Sequence, residues 1–158
     1  MRRSFFNTLE SLAEKDNRII LLAPDVGFGV VEPFAAKFPN RFINPGIGEA
    51  NAVGIATGLS IKGKIPFVYT INPFLAFHAL EQIRMLSHMN LHAILVGVGL
   101  GEEYTNNGIS HYSNGDEQVL LAMPNLSVIT PKLKSDVSPM VISAYENPAP
   151  YYLRLSRF

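Results

Sequence analysis

The chain has 158 residues, 47% of them apolar, enough to bury one sizeable core as a single domain spanning residues 1–158. Thirteen Lys and Arg balance thirteen Asp and Glu, which excludes an overall field that would gather nucleic acid or an anionic membrane surface. With no cysteine, disulfides, thiolate metal sites and a Cys nucleophile are excluded as well.

The opening residues Met1-Arg2-Arg3-Ser4-Phe5-Phe6 are basic, but Asn7, Glu10 and Glu14 interrupt them within a few positions. They read as an amphipathic helix with Phe5, Leu9, Leu12 and Ala13 on one side, not as a secretion signal. Asp16-Asn17 end it, because their side chains compete for the local backbone. Arg18 to Ala23 is a short, continuous apolar run, the pattern of a strand covered on both faces, and it empties into Pro24-Asp25-Val26-Gly27-Phe28-Gly29. Val30 to Lys37 reads as a short helix stopped by Pro39, and Arg41 to Asn44 as a second short strand. Pro45 to Leu59 then places one carboxylate, Glu49, at the head of a small, apolar helix. Ala50, Gly54 and Gly58 recur every fourth residue there, and no charge falls between Glu49 and Lys62. Glycine weakens a helix, so its repetition implies a face that another helix or a flat ligand approaches closely.

Lys62-Gly63-Lys64 forms a turn and Ile65 to Thr70 the next strand, with Pro66 tolerable near its start. A longer helix is predicted from Pro73, with Phe74, Phe77, Leu80, Ile83 and Arg84 at three- and four-residue steps, which puts the aromatic pair on its buried side. Leu91 to Val98 is the most hydrophobic strand and opens a polar loop, Glu102 to Gly115, of a length that is more often functional than idle. Leu126 to Thr130 and Tyr151 to Leu155 supply further strands around a helix from Ser135 to Tyr145. The sum is an α/β fold, a three-layer α/β/α sandwich with a mainly parallel sheet and ligands at the C-terminal ends of its strands. No uncharged stretch reaches the roughly 20 apolar residues that span a bilayer. The expected setting is soluble and cytoplasmic.

Asp25, Glu49, the segment after Thr70 and the loop bearing His111 all fall at such strand ends. A Glu in a first helical turn needs no role beyond meeting the helix dipole. Flanked by Ile47, Ala50 and Ala52, however, Glu49 is expected to be desolvated, which suits it to exchange a proton with a ligand base. Phe74 and Phe77 are core residues by type, and their place at a helix start beyond a strand end favours stacking on a flat ring. His111, between Ser110 and Tyr112, is a loop histidine open to hydrogen-bond or acid-base work, whereas His78, His88 and His92 take no role. His and carboxylate residues show no metal-ligand spacing. Gly97-Val98-Gly99-Leu100-Gly101 is not GxGxxG and no helix is expected after it, so it does not make a dinucleotide loop.

In order and at these separations, Asp25-Val26-Gly27, Phe42 to Glu49, Gly54 to Gly63, Phe74-Leu75-Ala76-Phe77, Gly108-Ile109-Ser110-His111 and Met123-Pro124-Asn125-Leu126 resemble one known pattern. It is the pyrimidine-binding domain of the transketolase family of thiamine diphosphate enzymes, and the resemblance covers Arg2 to Arg157. It implies that Glu49 hydrogen-bonds the aminopyrimidine ring nitrogen and promotes the imino tautomer that deprotonates the thiazolium carbon. Phe77 corresponds to the ring stacked on the pyrimidine, with Phe74 and Leu80 walling the same pocket, although an aromatic is usual at Leu80. Asp25 matches an acidic residue near the cofactor at the subunit interface. His111, with Asn107 where an aspartate is usual, falls in the loop that contacts sugar hydroxyls.

Family members using phosphorylated sugars carry an Arg where Thr130 stands. They also carry a His in the loop after the Leu95 strand and a Ser after Asp25, which have no counterpart here. Arg2 or Arg3 remains for a phosphate. The Gly-Asp-Gly…Asn motif that ligates Mg²⁺ is absent, and in the family it lies in another domain. The resemblance therefore implies the pyrimidine-binding half of a split transketolase-like enzyme that transfers a two-carbon ketol unit between sugars. A separate diphosphate-binding subunit would complete it, with the Gly/Ala face of the Glu49 helix as the contact surface in a homo- or hetero-oligomer. The alternatives are part of a deoxyxylulose phosphate synthase or a 2-oxoacid dehydrogenase or decarboxylase, or a non-catalytic assembly or regulatory module.

Overall fold

The computed structural model describes residues 1–158 and holds six strands, β1 (Ile19–Leu22), β2 (Phe42–Ile43), β3 (Ile65–Ile71), β4 (Ala93–Val98), β5 (Ser127–Ile129) and β6 (Pro150–Leu155). They form one sheet in the order β2-β1-β3-β4-β6-β5, with every pair parallel. The helices are α1 (Arg2–Ala13), α2 (Glu32–Lys37), α3 (Glu49–Ile61), α4 (Leu80–His88), α5 (Asp116–Leu121) and α6 (Val137–Glu146). Parallel neighbours require crossovers, and the intervening helices supply them on both faces.

Alternate strand residues feed two cores. Ile19, Leu21, Phe67, Ile94 and Val96 meet Phe5 and Leu9 of α1, Phe34 of α2 and Val141 of α6 on one face. Ile20, Leu22, Val68 and Leu95 meet Ala52, Val53 and Ala56 of α3, Ile83 and Leu86 of α4 and Leu120 of α5 on the other. This is the expected α/β/α sandwich, and the near-continuous apolar strands follow from it.

The segment after β3 departs from its sequence pattern. A continuous α-helix from Pro73 would bury Phe74, Phe77, Leu80 and Ile83 together. Phe74–His78 instead form a π-turn, whose wider winding accommodates one extra residue before α4 begins at Leu80. The buried positions become Leu75, Ala76, Ala79, Ile83 and Leu86, whereas Phe77 is 40% exposed and Phe74 and Leu80 are only half-buried. The aromatic pair is therefore not on the buried side.

Two further differences lie after β4. The polar loop contains two short 3₁₀ turns, Thr105–Asn107 and Ile109–His111, and ends in α5, a helix that the sequence pattern does not announce. The helix expected from Ser135 is a 3₁₀ turn over Lys134–Asp136 leading into α6. No helix is long and apolar enough to cross a membrane.

Candidate active site

From β1 the chain turns to one side, to β2, while β3 begins the run to the other side. The crevice outside their C-terminal ends is the switch point at which open α/β sheets take ligands. A cleft of about 340 Å³ opens there, lined by Arg2, Asp25, Phe28, Tyr69, Thr70 and Tyr104 among others. Asp25 sits in the left-handed region at φ 51°, its N–H donating to Ala23 O at 2.9 Å and to Asn44 Oδ1 at 3.2 Å. Asn44 Nδ2 returns a bond to Asp25 Oδ1 at 3.3 Å, so the ends of β1 and β2 are tied together beside the cleft. Gly27, at φ 85°, lets the loop turn back against Tyr69.

Glu49 is the first residue of α3, after an extended Gly48, and it is only 7% exposed. The expected burial is there. Of the flanking residues Ile47 is 88% exposed, Ala50 half-buried and Ala52 fully buried, and β3 and the π-turn add Thr70 and His78 against the carboxylate. Thr70 Oγ1 donates to Oε1 at 3.1 Å, and His78 Nδ1 stands 3.8 Å from Oε2. Oε2 has no hydrogen bond within the chain. A carboxyl held by one oxygen at a helix N-terminus, with the other free, is built to meet one more polar partner.

An aromatic series leads away from it. The His78 ring lies parallel to Phe74, with centroids 5.2 Å apart and planes 12° apart, and Phe74 meets His111 edge-on at 4.8 Å. Tyr104 stands 6.1 Å from His111. The structure thus joins Glu49, Phe74 and His111 into one wall through His78, with Tyr104 at its far end. Asn107 is exposed on the first 3₁₀ turn, with no side-chain bond in the chain, and Leu80 opens α4 behind the aromatic turn. Burial raises the Tyr69 phenol well above its usual range, keeping it neutral at the cleft floor.

Thr70, His78, Tyr104 and Asn44 belong to the site although sequence reasoning does not single them out. Only Asn44 carries a signal, as part of the Phe42 to Glu49 motif. A second cleft, of about 370 Å³, shares Arg2 and Phe28 with the first and gathers Arg3, Lys134 and Arg157. Arg157 is oriented by bonds to Glu103 and lies over the Tyr104 ring at 4.7 Å. No three His, Asp or Glu side chains converge in a way that could hold a metal ion.

The profile of the family described as "Transketolase, pyrimidine binding domain" matches residues 1–158. The chain belongs to this family. One of the subunits of an apulose-4-phosphate transketolase of Phocaeicola vulgatus is 32% identical over 158 residues, 99% of this chain and 51% of that protein. A 1-deoxy-D-xylulose-5-phosphate synthase of Desulforudis audaxviator is 30% identical over 154 residues, 97% of this chain and 24% of that protein. A solved structure described as "Split gene transketolase, inactive beta4 tetramer" superimposes with a TM-score of 0.87 at 32% identity, over 99% of this chain and 50% of that one. This transketolase pyrimidine-binding chain spans about half the length of the first curated relatives it matches.

Proposed function

We propose that the 158 residues form one pyrimidine-binding domain of a thiamine diphosphate-dependent, transketolase-like enzyme that moves a two-carbon ketol unit between sugars, with the cytoplasm as its compartment. A separate diphosphate-binding chain or domain completes it and holds the diphosphate and its Mg²⁺. The observation that carries this reading is the buried Glu49, fixed at one oxygen by Thr70 and free at the other, beside a wall of aromatic rings.

The residues present fit the aminopyrimidine end of thiamine diphosphate. Glu49 Oε2 is the unengaged partner for a ring nitrogen, and Phe77, open at 40% exposure, offers a face on which a flat ring stacks, with Phe74 and Leu80 as flanking walls. When bound, this cofactor supplies a stabilised carbanion equivalent for cleaving a bond next to a carbonyl. The protein's part is to present the Glu49 carboxyl to the ring nitrogen, with Thr70 orienting it. Asp25, at the outer edge of the cleft, is the interface acid. His111 and Asn107 stand where sugar hydroxyls would be read. Arg2, Arg3, Lys134 and Arg157 give the adjoining cleft a positive lining for an anionic group on the sugar.

The open Gly/Ala face of α3 supports a partner chain. No side-chain atom lies within 4 Å of the point where a Cβ would stand at Gly54 or Gly58. The test is reconstitution with the diphosphate-binding chain. The expected result is no turnover by either chain alone, turnover together, and a loss of at least about 100-fold in Glu49→Gln, the scale of an acid-base contribution. Full activity of Glu49→Gln in the complex would sink the reading. Deoxyxylulose phosphate synthase chemistry is the second reading, favoured by the match to that synthase. Donor screening separates the two, since ketose cleavage supports the first and CO₂ release from a 2-oxoacid the second.

A further inference from the structure

Beneath the aromatic wall lies a buried polar cluster that the function above does not use. Asp116 opens α5, directly after the loop that carries His111, and is 1% exposed. Arg154 of β6, 8% exposed, grips both its oxygens, Nε to Oδ2 at 2.7 Å and Nη2 to Oδ1 at 2.9 Å. Asn72, fully buried at the end of β3, donates from Nδ2 to the same Oδ2 at 2.6 Å. Its own Oδ1 accepts the Tyr152 hydroxyl at 2.9 Å. Gly97 of β4 makes the room, since a Cβ there would collide with Asn72 Oδ1 and the Tyr152 hydroxyl. Arg154 Nη1 reaches outward to Thr130 Oγ1 at 3.1 Å and Glu117 Oε1 at 3.0 Å. Burial opposes the charge on Arg154, yet hydrogen bonding to Asp116 raises its pKa.

Such a cluster is not explained by stability. A buried ion pair gains little over well-packed apolar residues, because taking both charges out of water offsets most of their attraction. What it does supply is direction, since a bidentate guanidinium fixes a carboxylate in position and in plane. One carboxylate here holds two segments. Asn72 precedes Pro73 and the π-turn that bears Phe74, Phe77 and His78, while Asp116 itself ends the segment that bears His111. The two segments touch where Phe74 meets His111 at 4.8 Å.

We propose that Asp116, clamped by Arg154, is a positioning residue that sets the spacing between the aromatic π-turn and the His111 loop across the site. Its link to ligand binding rests on the reading of that wall as the cofactor and substrate site.

Asp116→Asn keeps the shape but replaces one acceptor oxygen with an NH₂ donor, so that one arm of the Arg154 fork, or the Nε and Asn72 bonds to Oδ2, is lost together with the charge. In the 158-residue chain, the His111 ring resonances are expected to move toward those of a Phe74→Ala variant, as the Phe74 ring current is lost. Amide exchange across residues 74–78 and 105–112 should accelerate on the order of tenfold while β1 amides stay protected, the mark of local opening. Tyr152→Phe, which deletes only the hydroxyl holding Asn72, should give the same changes in smaller degree. A lowered melting temperature with His111 resonances and both exchange profiles unchanged would make Asp116 merely structural and overturn the proposal.

In the complex with the diphosphate-binding chain, Asp116→Asn should raise the Kd for thiamine diphosphate with Mg²⁺ about tenfold, the scale of a lost charge-assisted bond. Turnover at saturating cofactor should stay within about threefold, because no group at the reacting atoms has changed. An unchanged Kd would overturn the link to the site. A parent complex that binds no thiamine diphosphate would instead count against the functional reading, leaving the resonance and exchange outcomes to decide on Asp116.

Discussion

At the scale of single residues, Glu49 is governed by Thr70, which is 21 positions away in sequence and 3.1 Å away in space. Thr70→Val preserves the volume and removes the one bond that holds Oε1. The expected cost is about 1 kcal/mol of folding stability, the net worth of such a bond, read from chemical unfolding. Turnover of the complex should fall about tenfold, because the carboxyl keeps its burial but loses its orientation. Phe77→Ala, at a half-open position, should change stability by less than about 1 kcal/mol and show its effect in cofactor affinity. Glu49 is legible in the sequence because a lone carboxylate at the head of an uncharged helix is unusual. His78 is not, because whether its ring faces Glu49 or solvent depends on the winding of the turn that carries it.

Among the elements, that winding is the main difference between pattern and structure. A spacing of three and four residues describes both an α-helix and the start of a π-turn; the small Ala76 and Ala79 pack inward, and the larger rings are left facing out. The joint between α1, β1 and α6 shows the opposite case, a link with a direct readout. Asp16 lies just beyond the first helix, which ends at Ala13, and accepts from Arg18 Nη2 at 2.7 Å and from the Tyr145 hydroxyl at 2.9 Å. The Arg18 hydrogen bonds, ahead of the Tyr145 one, hold its carboxyl well below the usual carboxylate range. Since its folded pKa lies below its unfolded one, the stabilisation is present above about pH 4 and is lost as acidification protonates the carboxyl. Asp16→Ala should therefore melt lower than the parent at pH 7 and show a shallower loss of Tm between about pH 5 and pH 2. A parallel acid limb in the two proteins would count against that role. The Asp16-Asn17 stop signal is readable from the chain; the second partner of the Asp16 carboxylate, on α6, is not, because Tyr145 lies 129 residues away.

In the molecule as a whole, α3 presents its glycines outward with nothing against them. Gly54→Ala and Gly58→Ala should each stabilise the chain by up to about 1 kcal/mol, since alanine is the better helix former and the added methyl meets open space. Gly58→Leu should keep the chain folded and abolish its association with the diphosphate-binding chain, read by light scattering on the mixture. Unimpaired association would remove this face from the interface. The layered α/β architecture and the order of its motifs can be read from the amino acids alone, because apolar periodicity and Gly/Pro punctuation are local properties of the chain. The same local signals put Asp25, Glu49 and the His111 loop at strand ends. Which groups meet there is a matter of three-dimensional packing. Thr70 and His78 reach Glu49, Arg157 and Lys134 join Arg2, and Asp116 finds Arg154 through a strand order, β2-β1-β3-β4-β6-β5, that places distant segments side by side. Periodicity shows which face of an element is buried but not which neighbour buries it, and the chemistry of this site lies in the neighbours.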